Sequence, residues 1–302
     1  MFRVVAGFLM AALLAMPAAA QETLPPERDD EPLVQPASRN WNFWLRGNGQ
    51  LYENFDQAPD GAPENTVTAL AAEVGANVGL TPALRAYATA SYLQFNEDEL
   101  EGSSGFRAGL RGDLRPHAFE VYAEQLTNRP SFDLDVFAGA QIRRLAAEYS
   151  YRFLENWQAS AEVELDQQDF GRTENRDNEF AGFGAAIRWR GSRLISPELG
   201  FRTGRRDVND DLQTYDQGEV YLQVRSSPTE KLYLSARVRE RRRDYANIDR
   251  EDNRRQLAVS ADYSFTDAWV LNLYGARERN NTNLANRDAT WGFFSAGVTY
   301  RF

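Results

Sequence analysis

The chain has 302 residues and a formal net charge of −10; 26 % of its residues are charged and 12 % aromatic. It contains no cysteine, which excludes disulfides, thiol chemistry and a lipid-modified N-terminal cysteine. After the first twenty residues no apolar run approaches the ~20 residues that a membrane-crossing helix needs, so a helical membrane protein is excluded.

Residues 1–20, "MFRVVAGFLMAALLAMPAAA", combine Arg3, an apolar run from Val4 to Leu14 and a small-residue end at Ala18 to Ala20. This pattern predicts a secretory signal peptide and therefore export. Residues 21–38, "QETLPPERDDEPLVQPAS", are acidic and proline-rich, too polar to bury a core, and predict a disordered periplasmic linker able to take a partner. The remainder, 39–302, reads as one β domain.

From Asn40 onward the hydropathy alternates with period two. Trp41, Phe43 and Leu45 alternate with Asn42 and Arg46. Leu70, Val74 and Val78 share one face, opposite Glu73 and Asn77. Phe106 and Leu110 alternate with Arg107 and Arg111; Val163 and Leu165 with Glu162, Glu164 and Asp166; Leu232, Leu234 and Val238 with Tyr233, Arg237 and Arg239. A helical period of 3.6 would scramble these sets. Tight turns are predicted near Pro82, Pro116, Glu155, Ser192, Thr229 and Asp267, with longer polar stretches between them, the longest outer loop being expected near Thr127 to Asp135. Counting hairpins predicts about fourteen antiparallel strands, with sixteen or twelve as alternatives; Pro116 to Phe153 reads either as one long strand and a loop or as hiding an extra hairpin, which makes about sixteen.

The aromatic residues cluster by position. Trp41, Trp157 and Trp269 open strands and Trp189 closes one, all beside the tight turns, as in an interfacial girdle. The last stretch, "FFSAGVTYRF", places Phe294, Ala296, Val298, Tyr300 and Phe302 on one face. Together with the signal-like start and the alternation of long loops and tight turns, this chain resembles the outer-membrane β-barrels of Gram-negative bacteria, and by strand count the roughly fourteen-stranded porins. The resemblance implies an all-β transmembrane up-and-down barrel in the outer membrane. It also implies that the strand ending in Tyr300 and Phe302 is read by the barrel-assembly machinery. Backbone amides find no water in a bilayer, so such a sheet has to close on itself.

With the apolar face toward lipid, the other face lines a lumen. One wall is expected to be acidic (Glu120, Glu124, Glu148, Glu162, Glu164 and Asp166) and another basic (Arg188, Arg190, Arg202, Arg206, Arg225, Arg237, Arg239 and Arg241). Buried unpaired ions cost several kcal/mol each. The lumen is therefore either wet or zipped by salt bridges. The wet reading predicts passive diffusion of small hydrophilic solutes, anions among them, through an arginine-lined channel. The alternative is a non-conducting outer-membrane scaffold serving surface polysaccharide or protein export.

Other motifs point to no chemistry. His117, the single histidine, is placed beside a tight turn, away from the outer rim where the resembling barrel hydrolases keep theirs, so no catalytic residue and no enzyme is expected. "RVRERRR", Arg237 to Arg243, reads as lumen lining rather than a nucleic-acid site, with Arg242 outward, where lipopolysaccharide phosphates lie. The carboxylates of Glu162 to Asp166 read as a solvated wall rather than a metal site, and "GFG" at Gly182 to Gly184 lacks a nucleotide-binding context. No cofactor is expected.

Overall fold

The computed structural model describes residues 41–54, 66–97, 100–131, 136–171, 176–284 and 287–302. The stretches read as signal peptide and linker lie outside the described residues.

Among the described residues fourteen strands follow one another. They are β1 Trp41–Glu53, β2 Thr66–Thr81, β3 Leu84–Phe95, β4 Ser103–Leu114, β5 His117–Ser131, β6 Val136–Leu154 and β7 Trp157–Asp169. The second half comprises β8 Asn178–Trp189, β9 Ser196–Val208, β10 Tyr215–Thr229, β11 Leu232–Tyr245, β12 Glu251–Ser264, β13 Trp269–Thr282 and β14 Ala289–Arg301. Each strand pairs antiparallel with its sequence neighbours, and β1 pairs with β14, from Trp44 opposite Arg301 to Glu53 opposite Gly292. The sheet is a closed barrel, so no strand edge is left open.

The tight turns fall where the sequence puts them, and Pro116 to Phe153 holds a single turn-to-turn span of β5 and β6. One expectation is corrected. Thr127 to Asp135 is not the longest outer loop, because β5 continues to Ser131 and β6 begins at Val136. Shifts of register at Arg129 opposite Ala140 and Ser131 opposite Val136 absorb Pro130, which cannot donate to a regular ladder.

Alternation becomes two surfaces. Outward positions are apolar and exposed: Leu70 is 72 % accessible, and Leu45, Val74, Phe106, Val163, Leu199, Val238 and Val259 are also exposed. On β2 the belt runs from Leu70 to Leu80, which at ~3.3 Å per residue and a strand tilt of ~40° makes a band about 25 Å tall. That height matches the lipid-facing band of outer-membrane barrels. An exposed apolar belt of this extent is untenable in water. Inward positions carry most of the charge.

At the tight-turn end the outward aromatics form pairs. The Trp269 and Tyr300 rings are 4.6 Å apart, as are Tyr300 and Phe302, and Trp157 lies opposite Trp189 in register. Trp41 packs on Phe43 at 5.0 Å.

Candidate functional site: the charged lumen

Side chains of the expected acidic wall all project inward from β5, β6 and β7, and those of the expected basic wall from β8 to β11. Arg190 is the exception in position, since β8 ends at Trp189; from the turn it donates through Nη1 to Gln158 at 2.7 Å. Glu120, Glu148 and Glu162 lie in one cross-strand row.

The walls do not stay apart. Arg144 of β6 sits among carboxylates, donating to Glu124 at 3.1 Å and lying 3.0 Å from Glu164 and 3.7 Å from Asp166. Arg107 of β4 reaches the other oxygen of Glu124 at 2.9 Å. From the basic side, Arg202 pairs with Glu164, and Arg206 holds Asp166 with two bonds of 3.0 and 3.2 Å. Both β9 arginines pass over β8 to reach β7, Arg202 beside the inward glycines Gly184 and Gly182 and Arg206 over the Phe180 ring, 5.0 Å from its centre.

A second network occupies β10 to β13. Arg239 donates to Glu219 at 3.0 Å and to Glu278 at 2.6 Å, crossing Gln256 of β12 to do so. Arg241, 0 % exposed, lies within 3.9 Å of Glu219 and 3.7 Å of Glu278, and Arg254 within 3.9 Å of Glu278. Charge is uneven in this sector. The inward arginines Arg237, Arg239, Arg241, Arg243 and Arg254 face Glu219, Glu278 and Asp252. Nearer the turns, Arg225 donates to Glu198 at 2.7 Å, Arg188 to Ser196 at 3.0 Å, and Arg111 to Glu120 at 2.6 Å.

Access to water differs along the lumen. Toward the tight turns Asp113, Glu120, Glu148, Arg152, Gln158 and Ser260 are partly or fully exposed. Toward the loops most inward side chains are buried, Tyr245 and Thr282 being half-buried. Leu126, Ile142, Phe170, Val208 and Tyr215 form one apolar cluster, and Tyr52, Val67, Leu93 and Phe95 another. Arg243 and Asp252 fill the third sector, with Arg243 over the Tyr215 ring at 4.5 Å and Asp252 taking Arg250 at 2.8 Å. At the turn end too, Tyr233, Asp262, Asn272 and Thr299 are buried, so water reaches the lumen there chiefly beside β4 to β7.

Several lumen residues went unlisted at the sequence level. Arg144, Arg254 and Glu278 share the parity of the inward set on their own strands, so alternation alone would have found them. Trp44 is different. It is an inward tryptophan that donates Nε1 to Glu73 at 3.0 Å, with its indole over Gly75, where any Cβ would collide with it. His117 bonds Tyr149 at 2.6 Å and stacks on Tyr151. Among the described residues no cluster of His, Cys, Asp and Glu suits a metal ion. Arg242 points outward and pairs with Asp244 at 3.2 Å and with Glu251.

No family model and no curated protein matches the sequence. Solved structures do match. A mutant of the TodX monoaromatic hydrocarbon channel gives a TM-score of 0.50 at 9 % identity, over 88 % of this chain and 90 % of that one. A bacterial polysaccharide outer membrane secretin gives 0.49 at 13 % identity, over 86 % and 98 %. An anion-selective porin from Comamonas acidovorans gives 0.46 at 9 % identity, over 86 % and 98 %. At such identities the likeness is one of fold: this chain has the architecture of the outer-membrane β-barrels.

Proposed function

We propose that this protein is a porin-like channel of the Gram-negative outer membrane that passes small hydrophilic solutes and favours anions. The observation that carries the reading is a closed fourteen-strand barrel with water-accessible charged side chains at its turn end and an interior sector where arginines outnumber carboxylates. A barrel this wide exceeds the eight-stranded kind that side chains fill. Fixed positive charge on a narrow lining attracts anions and repels cations. In this reading Arg188, Arg190, Arg202, Arg206, Arg225, Arg237, Arg239 and Arg241 form the lining, partly neutralised by Glu120, Glu124, Glu148, Glu162, Glu164 and Asp166. Trp41, Trp157, Trp189, Trp269, Tyr300 and Phe302 seat the turn end at the periplasmic interface. The final strand serves the assembly machinery, residues 21–38 take a periplasmic partner, and outward Arg242 meets lipopolysaccharide. No cofactor or catalytic role enters.

Planar bilayers test this. Under a salt gradient the expected result is a small conductance with a reversal potential of anionic sign; a silent or cation-selective barrel overturns it. The buried loop end supports a second reading, the non-conducting scaffold, and one variant separates the two. Replacing Leu126 and Phe170 together by alanine removes two members of the loop-end apolar cluster. For a channel narrowed there, single-channel conductance is expected to rise by about twofold or more, since conductance follows the narrowest section; a scaffold stays silent.

A further inference from the structure

Arg237 projects into the lumen from β11 and is only 6 % exposed. Its guanidinium carbon sits over the Tyr221 ring, 3.7 Å from the ring centre. Tyr221 is itself fixed, lying over Gly200, where a side chain would displace it, with its hydroxyl donating to Glu198 at 2.8 Å. Stacking leaves the edge of the guanidinium free. Arg237 Nε and Nη2 are buried and form no hydrogen bond. These two nitrogens lie on one edge, the edge that offers two parallel N–H donors to a carboxylate. Buried donors left unsatisfied cost ~1–3 kcal/mol each, so the position asks for an acceptor.

Neither neighbouring carboxylate bonds Arg237, although Glu219 keeps one oxygen, Oε1, without a hydrogen bond. Glu198 takes Tyr221 and Arg225, and Glu219 takes Arg239. On the other flank the lining turns apolar. Arg237 lies opposite Ala258, which lies opposite Ala276, and these two alanines pack with Tyr274 and Phe293. Ala276 and Phe293 are partly accessible from the lumen. Strands stand ~4.8 Å apart, so the backbone at Ala276 is about 10 Å from that at Arg237. A flat acid of benzoate size spans that distance.

We propose that Arg237 is a binding site for the carboxylate of a small organic acid, whose apolar body lies on Ala258 and Ala276 against Tyr274. Its fork grips both carboxylate oxygens while Tyr221 holds the guanidinium in plane. This deepens the channel reading and rests on its water-accessible lumen, naming the class of anion that pauses there.

Calorimetric titration of the full-length protein in nanodiscs tests it, with benzoate, acetate and inorganic phosphate as probes. Benzoate is expected to bind at one site, at least tenfold tighter than acetate or phosphate. Arg237→Gln is expected to weaken benzoate at least tenfold, and Arg237→Lys, which keeps the charge but loses the fork, severalfold. Ala276→Leu is expected to weaken benzoate and leave acetate unchanged. Unaltered binding in Arg237→Gln, or phosphate bound more tightly than benzoate, overturns the site; acetate as tight as benzoate overturns its apolar half. Should Arg237→Gln fail to fold, as judged by lost heat-modifiability, unchanged benzoate binding in Ala276→Leu overturns the site by itself. Bilayer recordings distinguish the two readings. A silent barrel that binds benzoate through Arg237 retains the site and loses the channel, whereas a conducting barrel indifferent to benzoate loses the site alone.

Discussion

Replacing Glu278 by glutamine is expected to cost about 3 kcal/mol of barrel stability, read as a lower urea midpoint for unfolding from lipid vesicles. Glu278 is buried and receives Arg239 at 2.6 Å, with Arg241 at 3.7 Å and Arg254 at 3.9 Å. Breaking a buried ionic network by removing one partner costs ~3–5 kcal/mol, because the remaining charges lose compensation without regaining water. Here Glu219 would be left to serve Arg239 and Arg241, with Arg254 facing them. The double variant Glu278→Gln with Arg239→Gln is expected to recover at least ~1 kcal/mol of that loss, the signature of coupled neighbours. Additive losses would mean that the ion pairs do not hold these strands' interior together. Glu278→Gln alone subtracts a negative charge from the arginine-rich sector, so a conducting channel is expected to become more anion-selective.

An arginine at Val74 is expected to be almost as damaging, and for the opposite reason. Val74 is an exposed residue at the middle of the β2 belt, flanked by Leu45 of β1 and Ala90 of β3. In water, an exposed Val→Arg change alters stability by about 0.5 kcal/mol or less. At the bilayer midplane it costs ~2–4 kcal/mol on a barrel's lipid face. Unfolding of Val74→Arg from vesicles, set beside Thr68→Arg on the same face nearer the loops, therefore measures whether the belt faces lipid. A steep loss at Val74 with little change at Thr68 is the expected result, and equal, small effects at both would contradict the membrane-spanning reading.

What alternation decides is parity. On β1 it sends Trp41, Phe43 and Leu45 outward and Arg46 inward; on β7 it sends Val163 outward and Glu162, Glu164 and Asp166 inward. Successive side chains leave opposite faces of a strand, so this assignment needs no tertiary information. Turn chemistry set the hairpin count in the same way, through Pro82, Pro116 and the Thr229 and Asp267 turns. It was weakest at Thr127 to Asp135, where polar residues and Pro130 resemble a loop but β5 runs on to Ser131 through shifted register.

Which charges meet was a different matter. Listing inward residues strand by strand suggests an acidic wall and a basic wall, and the composition of each sector does differ. Yet Arg202 and Arg206 reach past β8 to Glu164 and Asp166, and Arg239 passes Gln256 to reach Glu278. These pairings depend on register, strand tilt and the residues lying between partners, none of which a strand's own alternation encodes. The apolar clusters at the loop end were invisible for a related reason. Leu126, Phe170 and Tyr215 are far apart in sequence and meet only because closure curves β5 to β10 around one mouth. The sequence by itself determined the barrel, its belt and the sign of each inward charge, because those follow from local periodicity. Only the tertiary structure decided which charges neutralise one another and that Arg237 is left with a free edge, because cross-strand distance is a property of the closed sheet.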